Sequence, residues 1–427
     1  MRILLLGASG FIGRELCAAL SARGHTVVAA VRRAEAAPRF ACESAIEIDL
    51  NRDITVETWL PRLERIDAVV NCAGILQGTR AQSIDAVHAH GPIALFRACE
   101  RAGVRRVVQV SAISAERSAG TAYALTKLAA DEHLRASKLD WVVLRPSLVV
   151  ARGAYGGTAL FRALAALPFA IPLPGNGEQK FQPIHVDDLA RVVVQAVESD
   201  TLVRRTVDPV GPEIVSLGTI LADYRRWLGF AAARVVAIPD TLVALATHIG
   251  DRFGGPINST ARAQLEHGNT GDYAAFRDAT GIEAAGWKAM LAAHPAHAQD
   301  RWHARLYFVR PLLRLSLIAV WLVSGFAGLF ALREWSILFA SRLHVPVVAA
   351  GATLVLACAL DVVLAVLLAR RWRPRRLALI QLLVIATYTA VATILWPSLW
   401  AEALGPLAKN LPVLAAVLAL GAIEEER

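Results

Sequence analysis

Cysteine is scarce in this chain of 427 residues: Cys17, Cys42, Cys72, Cys99 and Cys358 are scattered, with no CxxC pair. That spacing excludes a zinc-type ligand set and a disulfide framework, implies no metal, and fits a reducing compartment. Charge is also thin, at 19% of residues against 55% hydrophobic. With a mean hydropathy of +0.45, the chain is too apolar to be wholly soluble. The net charge of +9 does not point to nucleic acid, because residues 301–427 hold 13 Lys plus Arg against six Asp plus Glu. Basic residues around apolar runs set membrane orientation rather than grip phosphates. The N-terminus lacks the regions of a signal peptide, since Met1-Arg2 leads through a short apolar run directly into a glycine motif. The first domain is therefore expected in the cytosol. No repeat or low-complexity tract stands out beyond alanine richness.

What is present is an alternation of short β-branched runs with longer helical patterns over residues 2–150. Ile3–Leu6, Val27–Val31, Ala68–Asn71, Val107–Val110 and Trp141–Leu144 read as strands. They are continuously apolar, as strands of a parallel sheet buried on both faces must be. Residues 151–300 break into Gly/Pro-rich turns such as Leu173-Pro174-Gly175-Asn176-Gly177, predicting a small substrate lobe interleaved with the last strands. His294–Trp302 is short and polar, and the composition changes after it. The expected division is a domain over 1–300 and a membrane domain over 305–427, with apolar segments at about 311–332, 347–369, 377–396 and 404–423. Each of the first three is near the twenty residues that cross about 30 Å of hydrocarbon. The last is interrupted by Pro406, Lys409 and Pro412.

Gly7-Ala8-Ser9-Gly10-Phe11-Ile12-Gly13 follows the first strand and opens a helix through Glu15, Leu16 and Leu20. Gly7 permits a tight turn, Gly10 lets backbone N–H groups approach a pyrophosphate, and Gly13 allows the helix to pack closely on the strand. The positive end of the helix supplies an anion site. The fold class is accordingly α/β, a Rossmann doubly wound parallel sheet with a small substrate lobe, followed by an all-α four-helix transmembrane bundle. At the end of the second strand, an acid would bind the ribose hydroxyls of NAD. Here Val31 is followed by Arg32 and Arg33, whose guanidinium groups suit a 2′-phosphate. NADP(H) is the favoured cofactor and NAD(H) the second candidate; two arginines on a solvated loop are the plainer alternative.

The GxxGxxG spacing resembles the extended and atypical branches of the short-chain dehydrogenase/reductase superfamily. Further segments agree in order over about 1–210. Asp49-Leu50 closes the third strand, where the resemblance implies an acid against the adenine amine. Asn71-Cys72-Ala73-Gly74 ends the fourth like an NNAG-type segment, and Arg145-Pro146-Ser147 ends the sixth like an RP segment. His185-Val186-Asp187-Asp188-Leu189 is similar to a V-x-D-x-A region. The resemblance implies cofactor contacts from Gly7, Ser9, Gly10, Phe11, Ile12, Gly13, Asp49, Leu50, Cys72, Ala73, Gly74, Lys127 and Pro146, beside Arg32 and Arg33.

Ser111-Ala112-Ile113-Ser114 follows the fifth strand, Tyr123 comes twelve residues after Ser111, and Lys127 four further on. Tyr and Lys at i and i+4 share a helix face. The ammonium is expected to lower the tyrosine pKa, as an acid/base near neutral pH requires. The resemblance implies that Tyr123 exchanges a proton with the substrate oxygen, that Lys127 also holds ribose hydroxyls, and that Ser111, preferred over Ser114, hydrogen-bonds the same oxygen. A helix-borne tyrosine with an exposed lysine is the plainer reading. The sequence departs from the pattern in Val87-His88-Ala89-His90-Gly91-Pro92, where His88 stands in place of the usual asparagine. Val107–Arg145 also looks similar to the dinucleotide-binding accessory subunit of respiratory complex I, which uses the fold for structure.

Arg301, Arg305 and Arg310 precede the first apolar segment, and Arg370, Arg371, Arg373, Arg375 and Arg376 fill the loop between the second and third. The positive-inside rule puts both flanks in the cytoplasm, giving an even number of spans in the inner (cytoplasmic) membrane and both termini inside. Trp335, Trp396 and Trp400 form an aromatic belt opposite, and Glu424 to Glu426 return to the cytosol. Residues 305–423, with Gly405-Pro406-Leu407-Ala408-Lys409-Asn410-Leu411-Pro412, resemble the DoxX-like four-helix membrane family, implying a membrane redox context. Asp361 lies well inside the second segment, either contacting a lipid or quinone or hydrogen-bonding a neighbouring helix, with Arg314 and Lys409 as candidate partners. The leading functional expectation is an NADP(H)-dependent oxidoreductase whose partners are the bilayer and a small apolar carbonyl, alcohol, lipid or quinone. The alternatives are a non-catalytic nucleotide-binding scaffold or assembly protein, and an NAD-dependent epimerase or dehydratase.

Overall fold

Seven strands meet in one parallel sheet in the computed structural model, which describes residues 1–79, 81–403 and 405–424. They are β1 (Arg2–Leu6), β2 (Thr26–Val31), β3 (Ser44–Glu47), β4 (Ala68–Asn71), β5 (Arg106–Val110), β6 (Asp140–Leu144) and β7 (Arg205–Val207). Their order across the sheet is β7-β6-β5-β4-β1-β2-β3. The direction of winding therefore reverses between β1 and β4, the crevice where open α/β sheets bind ligands. Leu5 sits opposite both Ala29 and Val70 in the register.

The pleat explains why these strands are apolar throughout. Ile3, Leu5, Val27 and Val108 pack on one side with Leu16 and Leu20 of α1 (Phe11–Ala22). Leu4, Val28, Val69 and Val107 pack on the other with Leu95 and Phe96 of α2 (Gly91–Ala102) and Leu134 of α3 (Ala122–Ala136). Both faces are dry, so alternation with polar residues is lost. Leu189 and Val193 of α4 (Val186–Glu198) complete the first side. Helix α4 and β7 thus return to the sheet from within 151–300, and the rest of that stretch builds its own core around Ile171, Leu173, Phe181, Leu221, Tyr224 and Trp287.

The chain divides into two compact units, Met1–Ala304 and Arg305–Arg427. Among the described residues, α5 (Ala298–Phe330) leads from the first unit into the second, followed by α6 (Leu332–Leu343), α7 (Val347–Ala369), α8 (Pro374–Leu395) and α9 (Asn410–Ile423). Among the described residues, α5, α7 and α8, at 33, 23 and 22 residues, are the three long and apolar enough to cross a membrane by length and composition. The fourth expected span, 404–423, differs: only its last 14 residues are helical, about 21 Å at 1.5 Å per residue. Gly405 adopts a positive φ of 54° and residues 406–409 form turns ahead of the helix; Leu404, Glu425 and Glu426 lie outside the described residues. The helix α6, inserted between the first two long ones, was not expected.

Polar groups inside this unit are paired across helices. Asp361 is 3% exposed and accepts hydrogen bonds from Ser324 of α5 at 2.6 Å and Tyr388 of α8 at 3.0 Å. The hydrogen bond to neighbouring helices, one of its two expected roles, is present. Arg314 is not its partner; it forms a buried ion pair with Glu424, and Lys409 is exposed. The Arg314–Glu424 pair brings the end of α9 to the level of the first turns of the apolar part of α5. Trp335 and Trp396 meet edge to face at 5.9 Å.

Candidate active site

The loop after β1 is shaped by contacts that only glycine allows. Gly7 has φ +75°, and a Cβ there would lie 2.9 Å from the Ala73 nitrogen beyond β4. A Cβ on Gly13 would stand 2.1 Å from the Gly7 carbonyl oxygen, so α1 can approach β1 only without a side chain at that point. Gly10 is the N-cap of α1, with no side-chain cap and no acid in the first turn. The first N–H groups of α1 thus face outward with positive potential, a cradle that fits a pyrophosphate. Phe11 stacks on Tyr155 at 6.1 Å, Ile12 packs against the sheet core, and the Ser9 carbonyl accepts from Arg14 Nε at 3.0 Å. Arg32 and Arg33 are exposed just beyond β2, beside β1 and this loop.

Asp49 lies two residues past β3 and turns its carboxylate onto Asn51, accepting from its N–H and Nδ2, both at 3.0 Å. Leu50 is buried beneath Gly91 at the start of α2. After β4, Cys72 donates its thiol to the Leu6 carbonyl at 2.9 Å, and burial pushes that thiol up to about 12. The Ala73 N–H is held by Asn71 Oδ1 at 3.1 Å. The added-Cβ position on Gly74 falls 3.5 Å from both His88 Nε2 and Lys127 Nζ. The glycine loop, the end of β4 and the lysine are therefore continuous along the crevice. Pro146, past β6, accepts a hydrogen bond from the Ile113 N–H through its carbonyl.

Helix α3 starts at Thr121, whose side chain caps the Ala124 N–H at 3.1 Å. In its first turn Tyr123 is half-buried, and one turn further on Lys127 is buried. Lys127 Nζ donates to the Val110 carbonyl at the end of β5, 3.2 Å away, and lies 5.9 Å from the Tyr123 ring centre. Its ammonium is pulled below the usual lysine range by burial, with Asp131 opposing. Tyr123 does not show the expected lowering. Burial, reinforced by the Asp131 charge, pushes the phenol up to about 12, because desolvation outweighs an ammonium that is turned toward a carbonyl. The phenol is thus held protonated at neutral pH, ready to donate.

Ser111 and Ser114 fare differently. Ser111 Oγ donates to Asp131 Oδ2 at 2.5 Å, whereas Ser114 Oγ is buried with no hydrogen-bond partner among the described residues. Asp131 is fully buried and pushed up to about 6 by desolvation. Sequence reasoning missed it, although its position four residues after Lys127 was a usable signal. His88 lies in a π-turn, Ala86–His90, leading into α2. Its Nε2 accepts the Ile75 N–H at 3.0 Å, and its Nδ1 faces Thr126 Oγ1 at 3.1 Å. Thr126 already donates to the Ala122 carbonyl, so the imidazole is neutral and carries its proton on Nδ1. Elsewhere, His185, Asp187 and His294 bring ligand atoms within 4.8 Å of one another. There His185 Nδ1 caps α4 by accepting the Asp187 N–H.

Residues 3–208 match the NAD dependent epimerase/dehydratase family and residues 318–418 the DoxX-like family. A 3-diazoavenalumate denitrifying reductase from Streptomyces sp. is 31% identical over 317 residues, covering 66% of this chain and all of that protein. The chain belongs to the NAD dependent epimerase/dehydratase family. The similarity to the complex I branch also holds: mitochondrial NADH dehydrogenase [ubiquinone] 1 alpha subcomplex subunit 9 from Arabidopsis thaliana is 28% identical over 254 residues, covering 55% of this chain and 62% of that one. In fold, the dTDP-glucose 4,6-dehydratase of Bacillus anthracis, solved with NAD, superposes with a TM-score of 0.54 at 13% identity, covering 69% of this chain and 95% of that one. This member of the epimerase/dehydratase family therefore joins an NAD(P)-type domain to a DoxX-like helical region associated with the membrane.

Proposed function

We propose that this protein is a membrane-anchored, NADP(H)-dependent reductase of an apolar carbonyl or quinone-like substrate. The observation that carries the reading is the placement of Lys127 Nζ between the Val110 carbonyl and Gly74, one helical turn from a protonated Tyr123. In this reading the loop Gly7–Gly13 and the first turn of α1 hold the pyrophosphate, and Arg32 and Arg33 take the 2′-phosphate. Asp49 and Leu50 border the adenine, and Cys72, Ala73, Gly74 and Pro146 line the path to the nicotinamide, whose ribose Lys127 would bind. A reduced nicotinamide, when bound, supplies a hydride to the carbonyl carbon. Tyr123 gives its proton to the carbonyl oxygen as charge develops there, so that a carbonyl gains one hydride and one proton and leaves as an alcohol. The Lys127 ammonium stabilises the phenolate left behind. Ser114, with its unengaged hydroxyl, is a better candidate than Ser111 for orienting the substrate oxygen.

The full chain in proteoliposomes, given NADPH with long-chain aldehydes or a short-chain quinone, should consume NADPH only when such an acceptor is present. Tight NADPH binding without consumption by any acceptor would favour the second reading, a non-catalytic scaffold. That reading has its own support in the Ser111 hydroxyl, which is committed to Asp131, and in the likeness to a respiratory-complex subunit. The arginine-rich flanks support a cytoplasmic position for the dinucleotide unit, where NADPH is found.

A further inference from the structure

The helix Asp240–Phe253 of the substrate lobe is amphipathic in the wrong sense for a soluble protein. Leu242, Leu245 and Ile249, at i, i+3 and i+7, form a stripe that would ordinarily face a core. Instead they are 54%, 55% and 50% exposed, while the inward side is made by Thr247 and Gly250. The preceding strand, Arg234–Ile238, adds exposed Val235 and Val236. Charge is sorted around the same helix. At about 100° per residue, His248 and Arg252 fall beside the apolar stripe, whereas Asp240 and Asp251 fall on the opposite side. Asp251 is exposed there and accepts from Gln77 Nε2 and from the Ser259 N–H, both at 3.0 Å.

We propose that this helix lies in the surface of an anionic bilayer, with Leu242, Leu245 and Ile249 immersed and His248 and Arg252 among the lipid phosphates. An exposed apolar stripe needs a cover. The basic flank, with the acids on the opposite side of the helix, matches anionic headgroups, the arrangement found in interfacial helices. Among the described residues the same chain carries three helices long enough to cross a membrane, which would tether this unit to a bilayer. The inference rests on the membrane association of the chain and not on the catalytic reading.

The test uses the full chain in liposomes, with Cys42 and Cys72 replaced by serine; Cys17, Cys99 and Cys358 are buried. A polarity-sensitive fluorophore is placed through Leu245→Cys or Ile249→Cys, and through Ala18→Cys on the exposed face of α1 as the reference. In phosphatidylglycerol-containing liposomes the first two labels should shift to the blue and be quenched by acyl-brominated lipid, and the Ala18 label should do neither. Arg252→Gln should reduce the docked fraction about fivefold in anionic liposomes and leave it unchanged in pure phosphatidylcholine. Labels that stay water-exposed would overturn the proposal. Labels that shift to the blue without quenching would overturn it too, because a protein surface would then be the cover.

Discussion

His88 is buried, and its surroundings specify one protonation state. The Ile75 N–H occupies Nε2 and Thr126 occupies Nδ1, while burial and the nearby Lys127 charge push the imidazole down to about 2. An unfolded histidine titrates near 6.5. As pH falls below that value the unfolded chain gains a proton that the folded chain refuses, so stability is lost on acidification. Between pH 7 and pH 5 the loss from this one group is about 2 kcal/mol. His88→Asn keeps an acceptor for Ile75 and removes the titration. Thermal unfolding of the full chain should therefore show a flatter acid limb for the variant, with little difference at pH 7. An unchanged pH dependence would mean that His88 can protonate in place.

At the scale of elements, the site depends on how closely α1 approaches β1. Gly13→Ala puts a methyl carbon within 2.1 Å of a backbone oxygen that has nowhere to go. Helix α1 must then shift away from the loop after β1, at a cost of about 1–3 kcal/mol, and dinucleotide affinity should fall with it. A variant with wild-type NADPH affinity by calorimetry would show that the loop tolerates the shift. The same titration examines the end of β2. Charge-assisted hydrogen bonds from Arg32 and Arg33 are each worth roughly 1.5–3 kcal/mol, so NADPH should bind at least tenfold more tightly than NADH, and Arg32→Ala/Arg33→Ala should erase the difference. Equal affinities in the wild type would favour NAD(H).

The strand ends and the glycine turn were legible because local chemistry sets them: β-branched runs buried on both faces, and close contacts that exclude a Cβ. Thr126 was hidden because its role arises where α3 meets the π-turn, a contact that no spacing in the chain announces; for Asp131 the spacing from Lys127 announces the shared helix face but not the contact with Ser111. The direction of the Tyr123 shift was misjudged for a related reason. Sequence spacing gives the nearness of a charge but not the depth of burial that competes with it.

For the whole molecule, the second unit raises a question of counting. Among the described residues three helices are long enough to cross a membrane, yet the Arg314–Glu424 pair returns the end of α9 to the level where α5 begins its apolar run. The turns at 405–409 together with α9 would then make up the fourth crossing. Cysteine probes at Arg373 and Ser398 should report opposite sides, with Arg373→Cys shielded from an impermeant reagent in intact cells and Ser398→Cys reactive. The reverse pattern would place the dinucleotide unit outside. The central claim, that Tyr123 delivers the proton of a reduction at a site built to hold a dinucleotide, is tested by Tyr123→Phe in the full chain reconstituted in lipid. Acceptor-dependent NADPH consumption should fall by about 10²–10⁴-fold while NADPH affinity stays near the wild-type value. A Phe variant that consumes NADPH at the wild-type rate would contradict it.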